Sequence, residues 1–285
     1  MTRPAYGFIE PRAALAEVPT EELHQRLGIP IHSGHRAAFQ QFRGMNAVFD
    51  DIATRASTFE AGYEDQCTAQ YYFDLFDCLR SSFGEINRVI EVGVFMGGAS
   101  VILAGCGEKL DLDLDLIDVN DVFLQFSYER IRRTFPEQTR RVRLFHGDLP
   151  TYVHDVLLAE PAARATVQHD GAHDFDQVVR DLSSLYYAGQ RVHSLAIQDT
   201  HLRGLPNNMN FVDAAVCAVF GFDAVFTGMG TKFSEHDLVM TSPNRFQGNY
   251  FLPGRPEGMY LAMRNNKFHY PHPSIGIEGF LPKSG

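Results

Sequence analysis

The sequence predicts an α/β fold built on a doubly wound, mostly parallel sheet with a helical cap before it. Three observations carry that expectation. From Arg88 onward, short apolar runs alternate with helix-length amphipathic segments. The runs are rich in apolar residues, as strands covered by helices on both faces are. One strand-to-helix junction is rich in glycine, as a ligand-facing turn requires.

Before Arg88 the spacing is helical. From Val18 to about Phe83 apolar residues recur every three or four positions; Met45, Val48, Phe49 and Ile52 form one set, Tyr71, Tyr72, Leu75, Phe76 and Leu79 another. Thr20 is placed to cap a short helix that opens at Pro19-Thr20-Glu21-Glu22. Gly34 and the prolines before it mark a loop. Residues 1–84 are expected to form this N-terminal cap and residues 85–285 the α/β domain.

The expected strands are Arg88–Val92, Leu112–Ile117, Val142–Phe145, Thr166–His169, Ser194–Ile197, Ala224–Phe226 and Met259–Ala262. Helices are expected over Ala99–Gly105, Asp121–Thr134, Tyr152–Leu158 and Phe175–Tyr187. The last two of these seven strands lie close together, which predicts an antiparallel terminal pair. The tail from Pro271, rich in proline and glycine, is expected to wrap the surface without regular structure.

Composition limits the function classes. Of the 285 residues 45% are hydrophobic and 21% charged, as in ordinary globular proteins. No apolar run reaches the length of about 18 residues that a membrane helix needs, and Met1–Glu10 carries Pro4 where a signal peptide needs an apolar core. The four scattered cysteines, Cys67, Cys78, Cys106 and Cys217, form no CxxC pair and suit buried thiols in a reducing, cytoplasmic compartment. A net charge of −10 opposes a phosphate backbone, so nucleic acid is not the expected partner. Arg130, Arg132, Arg133, Arg140, Arg141 and Arg143 are expected to decorate a solvated helix face.

The most informative stretch is Glu91-Val92-Gly93-Val94-Phe95-Met96-Gly97-Gly98-Ala99-Ser100. A strand enters a glycine turn and a helix leaves it; Gly93 and Gly97 let backbone approach a ligand, and Ser100 lies near the helix start. A dinucleotide site needs GxGxxG here, whereas this turn reads GxxxGG with an acid two residues before the first glycine. A carboxylate at that place suits a cationic ligand better than a pyrophosphate. Asp118 ends the next strand, 27 positions after Glu91, where an acid can accept ribose hydroxyls in Rossmann-like folds. Asp148 ends the third. Asp113 and Asp115, in an alternating DLDLDL run, are expected to face solvent or a loop.

These motifs resemble class I S-adenosylmethionine-dependent methyltransferases over Arg88 to about Arg264. The resemblance implies a seven-stranded Rossmann-like sheet and places Glu91, Gly93, Gly97, Ser100, Asp118 and Asp148 around S-adenosylmethionine, with Asp148 near the adenine amino group.

Two later strand ends carry the chemistry. One reads Gln168-His169-Asp170-Gly171-Ala172-His173-Asp174, the other Gln198-Asp199-Thr200-His201. Bringing Asp170 and Asp199 together makes an oxygen-rich site suited to Mg²⁺ or another hard divalent ion. This part resembles the metal-dependent small-molecule O-methyltransferases of the catechol and the macrolide- and aminocoumarin-sugar types. That resemblance implies Asp170 as first metal ligand, Gln198 and Asp199 as the completing pair, and His173 as general base. Gln198 departs from the pattern, since a neutral amide is a weaker ligand, and His201 is a substitute that would favour a softer ion. His146, His169 and His193 are expected to be structural.

The expected reaction is methylation of a hydroxyl on a small natural product, sugar or phenol. Three alternatives stand beside it: metal-independent N- or C-methylation, a nicotinamide-dependent oxidoreductase, and a non-catalytic adenosylmethionine-binding protein. The acceptor is expected to lie among the cap helices and the loop Leu202–Asn210, and the amphipathic cap offers a surface for a homodimer.

Overall fold

The computed structural model describes residues 5–30, 37–60, 67–203, 210–232, 250–252 and 254–282. The strands are β1 (Gly7–Ile9), β2 (Arg88–Val92), β3 (Asp113–Asp118), β4 (Val142–His146), β5 (Ala165–His169), β6 (Val192–Gln198), β7 (Leu202–Arg203), β8 (Thr227–Lys232), β9 (Tyr250–Phe251) and β10 (Pro256–Ala262). The α-helices are α1 (Leu23–Leu27), α2 (Ala47–Ala56), α3 (Ala69–Ser81), α4 (Gly98–Leu110), α5 (Asp121–Thr134), α6 (Leu149–Asp155), α7 (Phe175–Ala188) and α8 (Val212–Phe220).

Among the described residues the main sheet runs β1-β4-β3-β2-β5-β6-β10-β8. Strands β2 to β6 are parallel, while β10 is antiparallel to both β6 and β8. This is the Rossmann-like doubly wound architecture with an antiparallel terminal pair. An eighth strand joins it: β1 pairs antiparallel with β4 and brings the start of the chain onto the sheet edge. The strand paired with β10 at the sheet edge is Thr227–Lys232 and not Ala224–Phe226, because Asp223–Phe226 stays largely exposed while Met229 enters the core.

Alternation in β2 sorts its side chains between two cores. Val89 joins α3, α4 and α5 on one face; Ile90 and Val92 join α6, α7 and α8 on the other. The cap packs its rings on the first of these cores, with Phe49 5.4 Å from Phe76 and Phe42 stacked 4.8 Å from Phe73. Asn46 caps α2 by accepting from Val48 and Phe49 N–H, and Thr68 caps α3 by accepting from Tyr71. Met45 and Val48, expected in the apolar stripe, lie outside it and are exposed. Thr20 begins a 3₁₀ turn instead of capping it, and its hydroxyl accepts from Arg133.

Charge is buried more often than the sequence suggested. Asp115 is fully buried in β3, opposite Arg143 of β4, which it meets through two bonds of 2.7 and 2.6 Å. Tyr152 donates to the same carboxylate. The arginine cluster is likewise no solvated face: Arg130 is buried, and Arg132 and Arg133 bond the carbonyls of Ala16, Leu15 and Val18. Long side chains that would otherwise wave in water clamp the N-terminal segment to α5. The tail after Pro271 contains a 3₁₀ turn, Ile277–Phe280, which buries both named residues. All four cysteines are free thiols; Cys67 and Cys106 are buried. No helix among the described residues is long and apolar enough to cross a membrane.

Candidate active site

The strand order reverses between β2 and β5, and a crevice opens where their carboxyl ends lead away in opposite directions. A cavity of about 600 Å³ occupies it, within the range of a nucleoside-sized ligand.

The glycine turn forms one wall. Gly93 has φ of +81°, and a Cβ there would lie 2.2 Å from the Asp170 carbonyl oxygen, so only glycine lets the β2 turn meet the β5 turn. Gly97, φ +70°, stands at the N-cap of α4 against Ser127. Asp118 splints the turn: its carboxylate accepts from Val94 N–H at 3.0 Å and Asn120 N–H at 2.8 Å. It also faces the cavity.

Behind the turn, off the cavity wall, lies Glu91 at 1% exposure. Its Oε2 has no hydrogen-bond partner, and neither has the buried Ser100 hydroxyl. Burial drives the Glu91 carboxyl well above the ordinary range, and the charges of Asp170 and Asp118 add to this. The Ser100 hydroxyl stands near enough to pull it partly back without completing a hydrogen bond. Asp148 lines the cavity with its carboxylate already engaged: it caps α6 through Thr151 N–H and pairs with Arg180 at 2.6 Å.

The other end of the crevice gathers Asp170, Asp199 and His173. One ligand atom from each lies within 4.8 Å of the others. His173 Nε2 is 3.0 Å from Asp199 and 3.7 Å from Asp170, without the alignment of a hydrogen bond to either. Asp199 holds the left-handed φ of +59°, a conformation that non-glycine residues adopt at a cost of about 1–3 kcal/mol. Gln198 turns toward Asp170; with its amide nitrogen facing the carboxylate it donates at 2.5 and 3.2 Å. His201 is buried nearby but outside the three-residue cluster.

These groups perturb one another. Burial lifts Asp170 to about 6, the Asp199 charge adding to it and His173 opposing it. Burial also presses His173 toward its neutral form, yet the charges of Asp199 and Asp170 outweigh that and raise it to about 10. Asp199 stays below the ordinary carboxylate value despite burial because His173 faces it. His201 falls to about 4 through burial.

Several residues here carry no local signal in sequence. Tyr6, Gln177, Arg180 and Asp181 line the cavity. His169 is structural, paired with Asp181 at 3.1 Å inside the core, and Gln177 donates to the same Asp181. His146 and His193 meet the Val119 carbonyl and Glu85. Behind the cluster, buried Glu257 accepts from Thr68 and Thr231 and ties the start of α3 to β8; its burial raises it to about 7. Of the loop expected to line an acceptor pocket, residues 204–209 lie outside the described residues; Asn210 bridges to Asp174 beside the cluster.

No family model matches the chain, and no curated protein matches it in sequence. Among solved structures it is similar to the calicheamicin methyltransferase CalS11, with 14% identity, 90% of this chain and 95% of that chain covered, and a TM-score of 0.47. It is similar to the methyltransferase domain of bacterial CtHen1, with 16% identity, coverage of 68% and 97%, and a TM-score of 0.43. A third is the O-methyltransferase TomG from Streptomyces achromogenes, involved in tomaymycin synthesis and solved with SAM, with 16% identity, coverage of 54% and 66%, and a TM-score of 0.36. All three are methyltransferases by name, and all three superpositions are loose.

Proposed function

We propose that this chain is a class I S-adenosylmethionine-dependent methyltransferase that methylates a hydroxyl of a small molecule with the help of a divalent cation. The observation that carries the proposal is the Glu91 carboxyl, buried beside the glycine turn with one oxygen unmet. A buried polar atom costs free energy until something pairs with it, and a carboxyl here calls for a cation. The cofactor's ammonium answers that need, whereas a pyrophosphate would meet repulsion.

The same residues divide the cofactor between them. Glu91 draws the ammonium from behind the turn, Asp118 takes the ribose, and the Gly147–Asp148 corner the adenine, while Gly93, Gly97 and Ser100 shape the turn. S-adenosylmethionine supplies an electrophilic methyl group. Asp170 and Asp199 would hold Mg²⁺ or a similar ion, with the Gln198 amide fixing Asp170; the ion would lower the pKa of the acceptor hydroxyl. His173 handles the proton at Nε2. Between two carboxylates its ring is charged at neutral pH, so it acts as a base only where their field is offset.

A second reading has its own support. An imidazolium between Asp170 and Asp199 already supplies the positive charge that a metal would bring, which favours metal-independent transfer at nitrogen or carbon.

Calorimetry with S-adenosylhomocysteine tests the cofactor. Wild type should bind and Glu91→Gln should bind about 10- to 100-fold more weakly, the worth of one hydrogen bond to a charged group. Binding should be linked to proton release, because burial raises the Glu91 carboxyl and an arriving ammonium pulls it back down. Equal affinities, or preferential binding of NAD, would refute the assignment.

A further inference from the structure

We infer that Tyr6, just ahead of the edge strand β1, stacks on the purine ring of the cofactor and completes its binding site. The inference rests on the adenosylmethionine reading above and adds a residue that no motif marks. Register places it. In the β1–β4 pair Gly7 opposes His146, Phe8 opposes Phe145 and Ile9 opposes Leu144. Because the strands are antiparallel, the residue before Gly7 overhangs the carboxyl end of β4, at the edge where Asp118 and Asp148 project. Tyr6 there lines the cavity, its ring 5.7 Å from that of His146 in an edge-on contact. It also lies against the Gly147 backbone, where a Cβ would come 3.0 Å from Tyr6 Cγ.

Contacts away from the cavity hold this N-terminal arm. Arg12 N–H donates to Gln125 at 2.7 Å, Gln125 donates back to the Glu10 carbonyl at 3.0 Å, and the Arg143 guanidinium covers the Phe8 ring at 4.8 Å. The ring therefore stands in place before any ligand arrives, and little ordering cost falls on binding. Two other six-membered rings among the described residues line the cavity, but Phe95 and Phe123 pack edge-on against each other, 5.2 Å apart, on the glycine-turn side, and the His173 imidazole lies in the acidic cluster. Tyr6 alone of the three stands at the Gly147–Asp148 corner. A flat aromatic surface beside an acid that is already paired with Arg180 suits a neutral heteroaromatic ring.

Calorimetry with S-adenosylhomocysteine and with adenosine decides it, using Tyr6→Ala, Tyr6→Leu and Tyr6→Phe. Loss of base stacking should weaken both probes about 10- to 100-fold in the alanine and leucine variants, while the phenylalanine variant keeps wild-type affinity. Leucine preserves an apolar contact with Gly147 without a π face, and unchanged melting temperatures show that the arm remains docked. Wild-type affinity in Tyr6→Leu overturns the stacking role while leaving the cofactor assignment intact. A loss confined to S-adenosylhomocysteine overturns the placement on the purine. Failure of wild type to bind either probe overturns the cofactor assignment, and the inference with it.

Discussion

Gly93→Ala tests whether the crevice is built as described. The substitution adds one methyl group, and the structure gives two separate costs. The first is backbone: at φ +81° an L-residue pays about 1–2 kcal/mol. The second is steric. The new Cβ would lie 2.2 Å from the Asp170 carbonyl oxygen and 2.5 Å from Gly171 Cα, and these are backbone atoms that no rotamer change can move aside. Overpacking of this kind costs about 1–3 kcal/mol. Gly28→Ala is the matched control, since Gly28 has φ of +69° and a Cβ there meets nothing within 4 Å. Urea denaturation should therefore show Gly93→Ala losing about 1–3 kcal/mol more than Gly28→Ala, which corresponds to a further fall in melting temperature of roughly 2–10 °C for a chain of this size. The atoms pushed aside belong to Asp170 and Gly171, so Gly93→Ala should also weaken S-adenosylhomocysteine, and Gly28→Ala should not. Equal stability in the two variants would mean that the β2 and β5 turns do not touch, and the shared crevice would be lost with them.

Two further outcomes concern the acidic cluster. If a divalent ion joins Asp170 and Asp199, EDTA should abolish methyl transfer, Mg²⁺ or Mn²⁺ should restore it, and Asp199→Ala should not be rescued; full turnover by stripped protein would decide for the metal-independent reading. For His173 the folded value of about 10 lies above the ordinary 6.5, so its stabilisation is complete below about pH 6.5 and disappears as pH rises through about 10. With 28% of the side chain exposed, about 2–4 kcal/mol is at stake. Melting curves of metal-free protein from pH 6 to 10.5 should show that decline, and His173→Gln should flatten it; identical profiles would remove His173 from the ion pair.

Much of the fold was legible because it depends on local periodicity. Strands covered on both faces read as apolar runs, amphipathic helices as three- and four-residue spacings, and the turn after β2 as glycine where side chains cannot fit. The acids at the strand ends were legible for the same reason, since a parallel sheet sends every such end to one edge. By itself, then, the sequence determined the architecture, the edge that bears the site, and the residue types gathered there.

Only the tertiary structure decided how those residues are spent. Asp115 looked like a solvent residue until β4 brought Arg143 against it, and Arg130 until the chain folded over it. Gln198, expected beside the metal, lies with its amide against Asp170. His173, expected as the base, stands between two carboxylates contributed by different strand ends. Tyr6 reached the cavity through an antiparallel pairing across some 140 residues of chain. Each of these depends on a charge or ring arriving from a distant segment, and the strength of such contacts is set by distance and burial in space, which spacing along the chain does not encode.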